Sequence, residues 1–284
     1  MTIGVFDSGF GGLTVLSALL RQLPEYDYLY LGDSARAPYG IRSPEVIDEF
    51  SRQAVARLFG EGCPLVVVAC NTVSARALRN LQQKFLPVHF PDHRILGVVR
   101  PSAEELAGLP PGAIPGITPP TLADGTVAVL GTSGTVASGS YRLELAKLAP
   151  RLRIVQKACP MWVPLVENGE LSGPGTDHFL HQILDPLLAV PEQRPAKILL
   201  ACTHYPLLLP SIRPMVPANI EIISQGALMA ERLADWLRRH PEMETRLRKN
   251  GVRQYVTTDD PVWFSEQGSK ILGTTIRVER LHLP

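Results

Sequence analysis

Eight short apolar runs constrain this chain more than any other feature. Each ends in a cluster of small or polar residues. They lie at 3–6, 28–31, 65–69 and 95–99, then at 127–130, 153–155, 198–201 and 220–223. All are rich in Val, Ile and Leu, and none shows the strict alternation of a strand with one wet face. Between them, apolar residues recur at helical spacing. Leu13, Leu16, Leu19 and Leu20 form one such stripe, and Val46, Ile47, Phe50, Ala54, Val55 and Leu58 another. Later stripes fall at 143–148, 179–188 and 228–237. Strands apolar on both faces, alternating with amphipathic helices, predict an α/β chain with parallel sheets covered on both sides.

The two halves echo each other. Val66-Val67-Val68-Ala69-Cys70-Asn71-Thr72 is matched by Ile198-Leu199-Leu200-Ala201-Cys202-Thr203-His204, 132 residues on. Val5-Phe6-Asp7-Ser8-Gly9 is matched by Val129-Leu130-Gly131-Thr132-Ser133, 124 residues on. Two strand ends repeated in order, at nearly one offset, point to duplicated α/β units. The expected division is a first domain of 1–98 plus 227–284 and a second of 99–226. The tail past 227 supplies a helix, a strand at 254–257 and a closing helix at 262–272. It is surplus to the second half, so it returns to the first. The run 109–120 carries five of the 26 prolines and reads as an ordered loop or insertion.

Composition narrows the function classes. Lys+Arg is 28 and Asp+Glu is 27, a formal net charge of +1. That balance gives no electrostatic reason for a nucleic-acid or anionic-membrane partner. No apolar run approaches the ~18–20 residues of a spanning helix. The opening residues lack a basic region, so no signal peptide is expected. Four cysteines without a C-x-x-C pair point to free thiols in a reducing, cytoplasmic setting.

In open parallel sheets, chemistry gathers beyond the carboxyl ends of the strands. Asp7-Ser8 and Cys70-Asn71-Thr72 stand there in the first half. Thr132-Ser133-Gly134-Thr135 and Cys202-Thr203-His204 hold the equivalent places in the second. Two such edges facing each other would enclose a cleft with a thiol on either side. Cys63 before Pro64 reads as structural, and Cys159 before Pro160 as intermediate. A helix starting just after Cys70 and Cys202 would lower their thiol pKa from about 8.5. Two opposed thiols suit proton transfer at a stereocentre, one removing a proton and the other delivering one from the far face. Neighbouring polar residues would hold carboxylates and bear the charge of the intermediate.

Other chemistries lack their signs. Gly9-Phe10-Gly11-Gly12 fails the dinucleotide pattern at Thr14. No G-K-[ST] and no G-x-S-x-G occurs. A zinc site from two cysteines and His204 lacks paired local spacing, and His178 and His181 have no third ligand nearby. These residues therefore give no reason to expect a metal site. A non-catalytic two-lobed protein that binds a small acid stays open, with both cysteines dispensable.

Five motifs resemble those of glutamate racemases, in the cofactor-independent aspartate/glutamate racemase family. They are Asp7-Ser8-Gly9-Phe10-Gly11-Gly12-Leu13-Thr14-Val15; Gly32-Asp33-Ser34-Ala35-Arg36-Ala37-Pro38-Tyr39-Gly40; Ala69-Cys70-Asn71-Thr72; Cys159-Pro160 with Val163-Pro164-Leu165-Val166-Glu167; and Cys202-Thr203-His204-Tyr205-Pro206-Leu207-Leu208. The resemblance implies two flavodoxin-like domains related by pseudo-symmetry, with the active site in the cleft between them. It implies interconversion of L- and D-glutamate, supplying D-glutamate for peptidoglycan, with no cofactor and only a small-molecule partner; a homodimer is compatible with it. Cys70 would act on the D-isomer and Cys202 on the L-isomer, assisted by Asp7 and His204. Glu167 matches a family carboxylate near the second cysteine. Asp7, Ser8, Tyr39, Gly40, Asn71, Thr72, Thr203 and His204 would contact substrate, with Thr132 and Thr135 adding contacts from the second domain. Two departures stand out: Ala201 replaces the usual glycine before the second cysteine, and Ser224-Gln225-Gly226 replaces an Asp-Ser-type pair. A sister racemase for aspartate, or a related isomerase or decarboxylase, is the runner-up among enzymes.

Overall fold

The computed structural model describes residues 1–114 and 116–284. Pro115, inside the proline-rich run at 109–120, lies outside the described residues; its described neighbours are turns and irregular chain. The chain divides into two compact units, Met1–Val98 with Gly226–Pro284, and Val99–Gln225.

The first unit is built on β1 (Ile3–Asp7), β2 (Tyr28–Gly32), β3 (Leu65–Val68) and β4 (Arg94–Gly97), with β9 (Arg253–Thr257) and β10 (Glu279–Arg280) from the returning tail. Their order is β10-β9-β2-β1-β3-β4, and every pairing is parallel. β1 and β3 are buried along their whole length. That is why their sequence is apolar on both faces, and why a helical or alternating pattern is absent. Helix α1 (Leu13–Gln22) buries Leu13, Val15, Leu16, Ala18 and Leu19. Helix α2 (Pro44–Gly60) buries Ile47, Ala54, Val55 and Leu58 on the facing stripe. α2 starts where its sequence says it should: the Ser43 hydroxyl accepts the Val46 N–H and Pro44 occupies the first turn. Apolar burial on this scale is the main favourable term, at about 1.5–3 kcal/mol for each fully buried large side chain.

The second unit holds β5 (Thr126–Gly131), β6 (Arg153–Ala158), β7 (Lys197–Ala201) and β8 (Glu221–Ser224), in the order β6-β5-β7-β8. All three pairings are parallel. With β5 matched to β1 and β7 to β3, this is the order β2-β1-β3-β4 of the first unit. The repeated strand-end motifs thus sit on equivalent strands of two like-ordered sheets. Each of the eight apolar runs of the sequence overlaps a strand, as does 254–257, although the run 95–99 overreaches: its strand ends at Gly97 and Val99 begins a helix.

Register places the chemistry. Asp7 pairs with Gly32 and Phe6 with Val68, so the residues after β1, β2 and β3 emerge on one edge. Gly131 pairs with both Ala158 and Ala201, so Thr132, Cys159 and Cys202 each stand one residue past a common level. No helix is long and apolar enough to cross a membrane, among the described residues.

Candidate active site

In the first unit, Asp7 ends β1 and is fully buried, although it is a carboxylate. Its Oδ1 accepts the Gly12 N–H at 3.1 Å. That N–H is one of the donors left over at the start of α1, where Gly12 is the N-cap. Gly12 has no alternative: a Cβ there would lie 2.4 Å from the Asp7 Cβ and 2.7 Å from the Tyr30 hydroxyl. Ser8 follows, with its Oγ 3.4 Å from the Cys70 sulfur. Cys70 is 5% exposed and is the N-cap of a short helix, α3 (Asn71–Arg76). Asn71 and Thr72 are buried in its first turn.

The expected acidification of Cys70 is corrected by these surroundings. Burial, and next the Asp7 carboxylate, push its thiol up to about 11; hydrogen bonds from Ser8 and from the Val73 N–H pull the other way without prevailing. Removing a thiolate from water and placing it near a second negative charge outweighs the helix end. Cys63 is pushed up to about 12, mainly by burial. Burial raises Cys159 as well, and both are sealed in the core. Cys159 is structural in this sense: its carbonyl accepts the Tyr205 hydroxyl at 3.0 Å.

Tyr39 and Gly40 follow β2 in a single 3-10 turn. Tyr39 is buried and its hydroxyl donates to Asp33. Asp33 was not singled out as a site residue, yet it organises this loop. Fully buried, it accepts from Arg36 Nε at 2.7 Å and from the Thr258 hydroxyl at 2.8 Å. Thr258 in turn accepts the Ala35 N–H at 3.1 Å. The signal was present: Asp33 follows β2 as Asp7 closes β1. Thr258 could not be found this way, because it comes from the returning tail 225 residues away in sequence.

In the second unit, the Cys202 sulfur lies 3.8 Å from His204 Nδ1. The other ring nitrogen, Nε2, is 3.4 Å from Glu167 Oε1. Sulfur, imidazole and carboxylate therefore form one file. Thr203 and His204 are buried, while Glu167 is 30% exposed at the end of the helix Trp162–Glu167. No helix begins directly after Cys202. A turn intervenes and then a single 3-10 turn, Tyr205–Leu208, with Pro206 in it. The expected helix end at this thiol is replaced by the His204 side chain. Thr132 caps the short helix Ser133–Ser138, accepting the Thr135 N–H at 3.2 Å; its hydroxyl also bonds the Thr135 hydroxyl at 3.1 Å. Thr135 is fully buried, and both threonine hydroxyls take part in this cap.

His178 and His181 stand apart from the cysteines in their contacts. His178 and His181 lie on the exposed face of Pro174–Leu188, bonded to Gln182 and Asp185 at 2.9 Å each. Among the described residues no group of three His, Cys, Asp or Glu side chains is arranged to hold a metal ion.

Comparison with known proteins gives the family. Residues 3–233 match the family described as Asp/Glu/Hydantoin racemase. A glutamate racemase of Ruegeria pomeroyi is 39% identical over 273 residues, 96% of this chain and 97% of that one. The crystal structure of a glutamate racemase isoform from Bacillus anthracis superposes with a TM-score of 0.85 at 32% identity, covering 100% of this chain and 98% of that chain. A Francisella tularensis glutamate racemase, solved in complex with D-glutamate, gives a TM-score of 0.83 at 27% identity, covering 99% of this chain and 97% of its own. The motif positions, the paired parallel sheets and these full-length likenesses have one outcome: the chain belongs to the Asp/Glu/hydantoin racemase family, among its glutamate racemases.

Proposed function

We propose that this chain interconverts L- and D-glutamate by moving the α proton through two thiols, Cys70 and Cys202, without a metal or organic cofactor. One observation carries the reading. Each unit ends an equivalent strand in a buried cysteine whose sulfur has a proton-handling neighbour, Ser8 with Asp7 nearby in one case and His204 with Glu167 in the other. The full-length likeness to glutamate racemases supports glutamate as the substrate.

In this reading the Cys70 thiolate removes the α proton of D-glutamate, forming S–H and leaving the electron pair on carbon. The Cys202 thiol then delivers its proton to the opposite face and becomes a thiolate; the L-isomer reacts by the reverse sequence. The charge on carbon is brief and is borne best by nearby donors, a role for Asn71, Thr72 and Thr203. Ser8, Tyr39, Gly40, Thr132 and Thr135 complete the proposed substrate contacts. His204, whose Nε2 lies 3.4 Å from Glu167 Oε1, exchanges a proton with the Cys202 sulfur. Asp7 assists at Cys70. A thiol held near 11 is seldom ionised at neutral pH, but its thiolate is a strong base toward carbon. The substrate's own ammonium group is the cation whose arrival favours that thiolate. D-glutamate made this way feeds peptidoglycan synthesis, and four free thiols suit a reducing cytoplasm.

The test uses protein dialysed against a chelator and freed of pyridoxal phosphate. Circular dichroism should follow L-glutamate to the racemic mixture, and in heavy water the D-isomer should carry deuterium at Cα. Cys70→Ala and Cys202→Ala should each abolish turnover with the fold intact. Product that keeps its original hydrogen, or turnover of aspartate in place of glutamate, overturns the reading.

A further inference from the structure

Tyr30 lies in the middle of β2 and is fully buried. A tyrosine in a sheet core needs a partner for its hydroxyl. Here the hydroxyl donates to the Gly9 carbonyl at 2.7 Å. The same oxygen stands where a Gly12 Cβ would come within 2.7 Å of it. It therefore touches both ends of the glycine turn 9–12. That turn delivers the Gly12 N–H to Asp7 Oδ1. Gly32, two residues further along β2, closes on the same turn: a Cβ there would meet the Gly9 carbonyl oxygen at 2.8 Å. Behind the ring, Phe264 packs at a centroid distance of 6.1 Å. Burial and the nearby Asp7 and Cys70 raise the phenol well above its usual range, so the hydroxyl stays a donor at any working pH.

We infer that Tyr30 is a positioning residue: its hydroxyl fixes the 9–12 turn, the turn fixes the Asp7 carboxylate, and Asp7 sets how readily Cys70 exchanges its proton. A phenol aimed at one carbonyl inside a sheet is more than a core aromatic requires, since Phe fills the same space. The inference rests on the two-thiol reading, in which Cys70 serves the D-isomer.

Tyr30→Phe tests it, because the ring stays and only the donor goes. The expected result is a kcat lowered tenfold or more with KM within about twofold, as for loss of a contact that matters in the transition state. L- and D-glutamate have equal free energy, so kcat/KM must fall equally in both directions. Only isotope effects tell which transfer slows. With α-deuterated substrates, the primary effect should rise for D-glutamate and stay level or fall for L-glutamate. A double-mutant cycle adds a second reading: if Tyr30 acts through Asp7, Tyr30→Phe should cost little in an Asp7→Asn background. 4-Aminophenylalanine at position 30 keeps a donor on the ring and should return kcat to within about threefold of the parent. It also serves if the Phe variant does not fold. A purely structural role predicts a lower melting temperature with both isotope effects unchanged, and that result overturns the inference. So do additive losses in the cycle, or a folded amino variant as slow as the Phe variant is expected to be. Cys70→Ala separates the two levels: turnover surviving it removes the two-thiol reading, whereas a dead Cys70→Ala beside an unimpaired Tyr30→Phe removes only the role of Tyr30.

Discussion

The proton affinity of Cys70 is set by opposing neighbours, and each can be removed singly. Burial and Asp7 raise the thiol, whereas Ser8 and backbone N–H groups lower it, with the balance at about 11. At pH 8 such a thiol is about 0.1% ionised, against about a quarter for an ordinary thiol near 8.5. Only the thiolate is alkylated. Iodoacetamide should thus modify Cys70 roughly 200-fold more slowly at pH 8 than its accessibility alone allows, and the rate should climb tenfold per pH unit to beyond pH 10. Peptide-level mass spectrometry separates it from Cys63, Cys159 and Cys202. Asp7→Asn removes the charge but keeps an oxygen for the Gly12 N–H, so the thiol pKa should fall and alkylation at pH 8 should accelerate. Ser8→Ala removes the hydroxyl 3.4 Å from the sulfur. A hydrogen bond to a charged group contributes about 1.5–3 kcal/mol, so alkylation should slow roughly tenfold or more. The two variants must move in opposite directions. A rate that levels off below pH 9.5, or variants that shift the same way, is incompatible with a thiol held near 11 by burial and Asp7 against Ser8.

Three further outcomes follow from the same geometry. His204→Ala should lower kcat by about 10²–10⁴, the usual range for a proton-transfer group, and Glu167→Gln by less, since Glu167 is 30% exposed and reaches the sulfur only through the imidazole; steady-state rates with both enantiomers check the order. Gly12→Ala should reduce turnover about 100-fold and destabilise by about 1–3 kcal/mol, because its Cβ would collide with Asp7 at 2.4 Å; urea melts and circular dichroism read the two effects separately. Cys63, raised by burial to about 12, holds its proton more tightly folded than unfolded. Its contribution is complete below pH ~8.5 and is lost as pH rises toward the folded value, at about 1.4 kcal/mol per pH unit. Cys63→Ala should flatten the alkaline fall in stability by about that slope, and an unchanged slope in urea melts between pH 8.5 and 10 would contradict it.

The fold was legible because burial on both faces leaves a plain mark. Runs such as Leu65–Val68 and Ile198–Ala201 have no polar face to keep, so their apolar composition announces central parallel strands. The small and polar residues that end them mark the edge where the proposed site residues gather. What the sequence could not give is whatever depends on distant chain. Thr258 reaches Asp33 across 225 residues, and no local pattern links them. Tyr30 looks like any strand tyrosine until the Gly9 carbonyl is seen at its hydroxyl. The acidity of Cys70 went the other way for a related reason. The helix start after it is local and readable, whereas its burial and the Asp7 charge come from packing.

The two thiols sit in unlike surroundings, and that is compatible with a reaction that treats mirror images equally. Cys70 is governed by a sealed carboxylate and a serine hydroxyl. The Cys202 sulfur lies 3.8 Å from an imidazole nitrogen, and the far nitrogen of that ring is 3.4 Å from a partly exposed carboxylate. Equal free energies of the enantiomers fix only the ratio of kcat/KM in the two directions. They leave kcat and KM free to differ, so nothing requires the two thiols of the proposed proton path to match. Duplicated strand ends supply two sulfurs at like positions, and the residues packed around each then set its proton affinity independently. The shared sheet order therefore accounts for where the thiols are, and the differing neighbours account for how each holds its proton.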